Sequence, residues 1–391
     1  MTDVDFNQLF GGSIMGPIPP PYRHFARFRA ERPVVRMAGW MNDSHLVSRY
    51  DDVVAGMKDA ETFSARGNAR GIDIVIGRTI LEMEGPEHLR QRRIVTPFFA
   101  PRALRDDVEP HVITTANELI DGFAADGRAD LVSQFTFTYP LRVIARMIGV
   151  PIADFDAFHH WALALVSVAD DPAKAFAAAH SIVEYLRPIV EERRREPRED
   201  LLTELLTTEV EGEKLTEEEV LTFLRLLLPA GAETTYRLTG NVLFALLQHA
   251  EAHAEVAGNR ALIPALIEET LRWDSPVQGV SREVTRDVEL HGYRIPKGDL
   301  AFLSIGSANR DETHFDDPDR FDLHRANKSD HVSFGLGAHF CLGSHLARME
   351  ARIAVAALLD RLPNLRLTPG EACQIVGFAF RSPDRLPVLF G

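Results

Sequence analysis

The 391-residue chain is short of cysteine, of basic charge and of long apolar runs, and each shortage closes off a class of protein. Only Cys341 and Cys373 occur, too few for a disulfide framework and easiest to reconcile with a reducing compartment. Fifty-seven acidic against 43 basic side chains leave a formal charge of -14. A surface of that sign repels polyphosphate, so no nucleic-acid partner is expected. No run of about 18 or more apolar residues appears, so no membrane span is expected. The N-terminus, with Gly11, Gly12, Pro17, Pro19, Pro20 and Pro21, lacks the basic start and apolar stretch of a signal peptide. Repeats, low-complexity tracts and an interdomain linker are missing too. What remains is an ordinary globular composition, 45% hydrophobic and 26% charged. One cytoplasmic domain over residues 1–391 is expected, with a monomer as the default.

The pattern along the chain is mostly helical, with a smaller β-rich part. His45 to Ser48 reads as a strand, and a short helix opens near Asp51 and Asp52. Residues 64–80, rich in Gly, Ser, Asn and Arg, read as a loop. Leu89 to Phe99 reads as a helix, basic on one side and apolar on the other. Helices follow from 103 to 210, broken at Gly127, Gly149 to Pro151, Asp170 to Pro172 and Pro197. Thr216-x-x-Glu219 is a capping box that predicts a helix start near Glu217. That helix continues to Gln248, about 32 residues or roughly 48 Å. Strands are expected between Pro276 and Ser304, loops from 305 to 340, and a last helix from Leu342 to Leu362.

The strongest local signal is Phe334-Gly335-Leu336-Gly337-Ala338-His339-Phe340-Cys341-Leu342-Gly343. Three glycines let the backbone turn tightly and approach a flat cofactor without a Cβ in the way. A helix beginning just after Cys341 puts its sulfur at a dipole that favours thiolate over thiol. As an axial ligand, such a thiolate pushes electron density into iron. An isolated cysteine is usually a small buried residue, and Cys373 keeps that reading; the frame around Cys341 reverses it. A second signal is Ala230-Gly231-Ala232-Glu233-Thr234-Thr235, mid-helix and just after Pro229. Proline and glycine together predict a kink or widening near 229–234. A glutamate inside a buried helix needs solvation or a partner.

Phe334-x-x-Gly337-x-x-x-Cys341-x-Gly343 resembles the haem-binding signature of the cytochrome P450 family. With the other segments below, the resemblance runs from Pro17 to Gly391 and puts five motifs in the family's order. It implies a triangular, mainly helical single domain with a small β-region. It implies haem b (iron protoporphyrin IX), with Cys341 as the iron ligand and Phe334, Gly335 and Gly343 shaping its loop. His339 is similar to the histidine that soluble bacterial members place on a haem propionate. His88-Leu89-Arg90-Gln91-Arg92 is similar to the propionate-binding helix, matching at His88 and Arg92, and Arg282 matches a further propionate arginine. Arg90 and Arg93 read as a solvated basic face.

In the oxygen-activation motif that the central helix resembles, Thr234 is the alcohol and Glu233 the acid that together deliver protons. Ala232 stands where many relatives carry histidine. Glu269-x-x-Arg272, three apart on one helical face, resembles the family's core ion pair. Pro318-Asp319-Arg320-Phe321 looks like the segment that supplies its third member, Arg320. These three are scaffold for the cysteine loop.

The activity this implies is insertion of one oxygen atom from O2 into a small hydrophobic substrate, by hydroxylation or oxidative dealkylation. The alternatives are a peroxide-using or nitric-oxide-reducing relative and a non-catalytic haem sensor. A sensor has no use for Glu233 and Thr234, and the closer relatives usually depart from that pair. The resemblance lines the pocket with Ile74, Val75, Ala230, Val277 and Val280, near Ile76, Trp161, Leu163 and Phe176. An apolar lining suits a hydrophobic substrate, whereas Arg66, Arg70 and Arg78 are the candidates for meeting a carboxylate. The chain ends directly after its C-terminal strands, so electrons are expected from a ferredoxin and its reductase. Docking is expected near the cysteine loop on Arg93, Arg102 and Arg348.

Overall fold

Thr216 and Glu219 cap each other as their spacing predicts. The Glu219 N–H donates to Thr216 Oγ1 at 3.2 Å, and the Thr216 N–H donates to Glu219 Oε2 at 2.8 Å. In this computed structural model the helix they open spans Glu217–Gln248. It is apolar on nearly every side, which is the pattern of a helix enclosed by others. The helices Tyr139–Ile148, Phe155–Val166, Ile263–Trp273 and Ser344–Arg361 pack around it, and the main apolar core gathers there. The kink expected near Pro229 does not interrupt the helix, which runs on to Gln248. Glu219 also accepts hydrogen bonds from Arg90 and, at 3.2 Å, from Gln91. Arg90 is therefore paired and not part of a solvated face.

The structure describes residues 3–10, 18, 20–39, 44–71, 73–151, 155–168, 171–210 and 212–391. Gly11, Gly12, Pro17, Pro19 and Asp170 lie outside the described residues. Among the described residues no helix is long and apolar enough to cross a membrane.

The largest sheet among the described residues is six-stranded and mixed, in the order Val4–Asp5, Val34–Ala38, His45–Val47, Leu300–Leu303, Val280–Val284, Phe63–Ser64. Its inner pair sets Ala301 opposite Arg282 and Phe302 opposite Ser281. Several boundaries differ from those read in the sequence. The stretch 64–80 holds a 3₁₀ turn at Ala65–Arg70 and a short helix at Asp73–Ile76. The basic helix begins at Gly85, with Pro86 in its first turn where the missing N–H costs nothing. It ends at Val95 and passes into a 3₁₀ turn, Thr96–Phe99. A strand at Arg128–Asp130, inside the stretch read as helical, pairs with Pro387–Leu389. The last helix is Ser344–Arg361.

Glu269 and Arg272 form a fully buried ion pair with two hydrogen bonds, 2.7 and 2.8 Å. Its third member is Arg325 and not Arg320. Arg325 Nε donates to Glu269 Oε1 at 3.2 Å, whereas the Arg320 side chain is 67% exposed. The physical reason is donor arithmetic. Two guanidiniums carry about ten N–H groups between them, and one carboxylate accepts only a few. The segment containing Arg320 meets the surplus with backbone carbonyls. Arg272 donates to Asn309, Pro318 and Arg320 carbonyls at 3.1, 2.8 and 3.1 Å. Arg325 donates to those of Asp316, Asp317 and Arg320. Asn309 then reaches onward, accepting the Val332 N–H at 2.8 Å and donating to Ser333 Oγ at 2.9 Å. The network so extends to the edge of the cysteine loop.

Glu269 keeps Arg272 when Arg325 is removed, so Arg325→Met strands no charge; it leaves the Asp316 and Asp317 carbonyls without their donor and should cost about 1–3 kcal/mol of unfolding free energy. Arg320→Ala keeps the carbonyl and should stay within about 0.5 kcal/mol. Urea unfolding of both variants tests this, and equal losses would return Arg320 to the triad.

Candidate functional site

The cysteine loop is a tight backbone fold. The Cys341 N–H donates to the Phe334 carbonyl at 2.8 Å, Gly335 to Val332 at 2.9 Å and Phe340 to Gly337 at 3.1 Å. Gly335 and Gly337 adopt φ of 69° and 72°, where a Cβ is strained. At Gly337 an added Cβ would also stand 3.0 Å from the Met57 carbonyl oxygen. Gly343 is different: its φ is -84° and no protein atom lies within 4 Å of an added Cβ. The protein alone places no demand for glycine there, whereas a flat group lying against the loop would.

Arg348 holds the loop from the following helix. Its guanidinium lies 4.3 Å from the Phe334 ring centroid and forks onto Glu268 at 2.6 and 2.9 Å. Burial pushes the Glu268 carboxyl up, but hydrogen bonds from Arg348 and His331 outweigh it and hold it at about 2. Arg348 is thereby committed to the loop and is not a free docking charge.

Cys341 itself is exposed in densely packed surroundings. Those surroundings push its thiol up; the Gly343 N–H, Arg92 and Arg348 pull it down only in part. This corrects the expectation that the helix terminus alone favours thiolate. Helix Ser344–Arg361 starts three residues on, so its dipole acts from a distance. A bound metal cation would deprotonate such a thiol outright.

Beside the cysteine, four basic side chains converge from three segments. The rings of His88 and His339 lie 4.4 Å apart. Burial, then Arg282, His88 and Arg92, push the His339 imidazole down to about 3. Burial and Arg92 also lower His88, whose Nε2 is buried without a hydrogen-bond partner. Arg282, on the sheet, is pushed down to about 10 by burial, and Arg92 donates to the Phe340 carbonyl. The nearby acid, Glu84, is occupied by Ser64 Oγ and the Ala65 N–H, each at 2.8 Å. Two arginines and two histidines about one point suit a group with anionic oxygens. The orphaned His88 nitrogen and the open Gly343 fit a haem with its propionates at this edge.

On the central helix, Ala230, Gly231 and Thr234 are the positions not buried between Leu226 and Leu246. Thr234 Oγ1 donates to the Ala230 carbonyl at 2.7 Å. Glu233 is fully buried and looks elsewhere, since neighbours on a helix diverge by about 100°. Its Oε1 is 3.9 Å from His159 Nδ1 and its Oε2 is 3.6 Å from Arg237 Nη2; neither oxygen has a hydrogen-bond partner. Burial raises this carboxyl to about 7 against the pull of Arg237. Acid and alcohol are therefore chain neighbours whose side chains are not brought together. Sequence reasoning missed both Arg237 and His159. The spacing of four from Glu233 was a signal for Arg237, and His159 carried none.

The five pocket residues come from three stretches of chain, Ile74 and Val75 sharing the short helix Asp73–Ile76. Ile74 is 51% exposed and Val75 is in the main core; Ala230 is exposed. Val277 bridges to Phe380 and Val280 begins its strand. Each of the three loop arginines has a carboxylate close by. Arg66 is 3.6 Å from Glu84, Arg70 is 3.2 Å from Glu283, and Arg78 is 3.6 Å from Glu82 and contacts Glu87.

A family profile described as Cytochrome P450 matches residues 155–371. The monooxygenase PikC of Streptomyces venezuelae is 36% identical, the match covering 94% of this chain and 90% of that one. The vitamin D(3) 25-hydroxylase of Pseudonocardia autotrophica is 35% identical, with 100% and 98% covered. The solved structure of a cytochrome P450 from Chondromyces apiculatus superposes with a TM-score of 0.86 at 38% identity, covering 95% of each chain.

The raised Glu233 carboxyl has a consequence for stability. The folded protein keeps this proton above the ordinary 4.5 and releases it near 7. The contribution is therefore present below 4.5 and lost as pH rises through 7. Relative to Glu233→Gln, the wild type should lose on the order of 3 kcal/mol across that window. Denaturant unfolding of both proteins at several pH values measures it. Parallel curves would mean that the carboxyl is ionised throughout.

Proposed function

Because this chain belongs to the cytochrome P450 family, we propose that it is a haem-thiolate monooxygenase inserting one atom of O2 into a small, uncharged, hydrophobic substrate. The observation that carries the reading is the exposed residue Cys341 beside the cluster of His88, Arg92, Arg282 and His339. Haem b is the group they would hold, Cys341 on the iron and the four basic side chains on the propionates. When bound, it would supply an iron that activates oxygen, made electron-rich by the Cys341 thiolate.

The protein's own residues then have separable roles. The loop from Phe334 to Gly343 fixes the sulfur, with Arg348 and Glu268 behind it. Thr234 presents a hydroxyl on the one accessible face of the central helix, and Glu233 holds a proton next to it in the chain. Ala230 and Thr234 border the space for substrate, with Ile74, Val75, Val277 and Val280 as the proposed apolar lining. An uncharged substrate is supported by Arg66, Arg70 and Arg78, which already face protein carboxylates. A relative named for vitamin D(3), a neutral and apolar molecule, agrees with that choice. Electrons come from a ferredoxin and its reductase, and the protein works as a single cytoplasmic domain and a monomer.

The carbon-monoxide difference spectrum of the reduced protein tests the core of this reading. A strongly red-shifted Soret band is expected for the wild type and should be lost in Cys341→Ser. A haem spectrum without the shift in wild type would leave the sensor reading in front. For the redox partner, Arg102 is the better probe, being 88% exposed. Arg102→Glu should slow reduction by spinach ferredoxin several-fold at low salt, the effect fading as salt is added, with substrate affinity unchanged. Equal reduction rates would place docking elsewhere.

A further inference from the structure

Buried polar atoms are nearly always satisfied, yet three orphans belong to two facing side chains. They are both carboxyl oxygens of Glu233 and the Nε2 of His159. His159 comes from the helix Phe155–Val166, its ring packed on Phe137 and close to Tyr236. It is buried, while the next residue, His160, is exposed and bonds the Asp156 carbonyl at 2.6 Å. The other groups around Glu233 are Arg237 and Tyr236 of its own helix. Ser382 accepts from Arg237 at 3.0 Å, and the neighbouring helix Tyr139–Ile148 presents the apolar Ile144 to Gly231, two residues before Glu233. An apolar pair would serve packing better than an acid and an imidazole that do not satisfy each other.

Resting on the monooxygenase reading above, we propose that His159 is the proton-relay residue that reloads Glu233 from solvent. Nδ1 faces Glu233 Oε1 across 3.9 Å, a gap that a small side-chain rotation closes. The imidazole takes up a proton at Nε2, a buried nitrogen with no protein partner that a transiently entering water reaches, and releases one from Nδ1 to the Glu233 carboxylate; a half-turn of the ring then restores its starting tautomer. Glu233 has just given its own proton toward the Thr234 side of the helix. One proton enters for each that leaves, so the buried charge is unchanged over the cycle. Arg237 cannot be the donor, because a guanidinium keeps its protons. It steadies the carboxylate in the interval when Glu233 is ionised. Burial, with His160 and Arg237 nearby, holds His159 down at about 3. The ring is therefore neutral at rest and free to act as acceptor first.

Two readouts on the haem-loaded protein test the relay. The first is infrared: the protonated carboxyl band of Glu233, identified by its loss in Glu233→Gln, shifts as the proton exchanges in D2O. In His159→Gln and His159→Phe this exchange should slow about tenfold or more, with unchanged circular dichroism. The second is O2-dependent NADPH oxidation driven by spinach ferredoxin and its reductase. It should slow by about the same factor in both variants and show a larger solvent isotope effect than wild type. Variants that exchange and turn over like wild type overturn the relay. So does slowed turnover with unchanged exchange, which would mark a merely structural histidine. A wild type lacking the thiolate spectrum sinks the monooxygenase reading itself, and the relay with it. A wild type that has the spectrum, with variants like wild type, sinks the relay alone.

Discussion

One carboxylate, Glu269, sits with no exposure in the middle of this protein and must be neutralised there. Arg272 and Arg325 do so, and their remaining N–H groups need acceptors that a buried site lacks. The chain between Asn309 and Arg325 is folded so that its carbonyls point inward to supply them. From that requirement the rest follows in order. Asn309 is fixed, Asn309 fixes Val332 and Ser333, and these open the loop that carries Cys341. A segment with almost no regular structure thus becomes rigid enough to position a sulfur.

The site built on this frame is electrostatically unbalanced in two places. Four basic groups are gathered with hardly any acid to meet them, and a buried acid stands among partners that do not quite reach it. Neither arrangement lowers the energy of the fold. Each makes sense as preparation: the first for anionic oxygens brought by a cofactor, the second for a proton in transit. The cysteine shows the same logic, since the protein raises its thiol and leaves ionisation to a bound cation.

Where the chemistry was local in sequence, it was legible. The capping box at Thr216, the glycines around Cys341 and the Glu269-x-x-Arg272 pair each depend on residues a few positions apart, and each stands where its pattern placed it. The helical character and the small β-part were legible for the same reason. Arg325 was not, because the choice between it and Arg320 turns on which side chain faces inward and which lends only its carbonyl. The separation of Glu233 from Thr234 follows from helix geometry, but the partners awaiting Glu233 do not. His159 lies 74 positions away on another helix, a meeting that only packing decides. Helix ends also shifted where Pro86 and the 3₁₀ turn at Thr96 reset the boundaries.

Glu219 does more than cap. The same carboxylate that closes the first turn of the central helix also grips Arg90 and Gln91. The same Gly85–Val95 helix carries His88 and Arg92. The two helices are in effect riveted at one atom cluster. The basic helix therefore cannot shift against the central one without also opening the capping box that starts it.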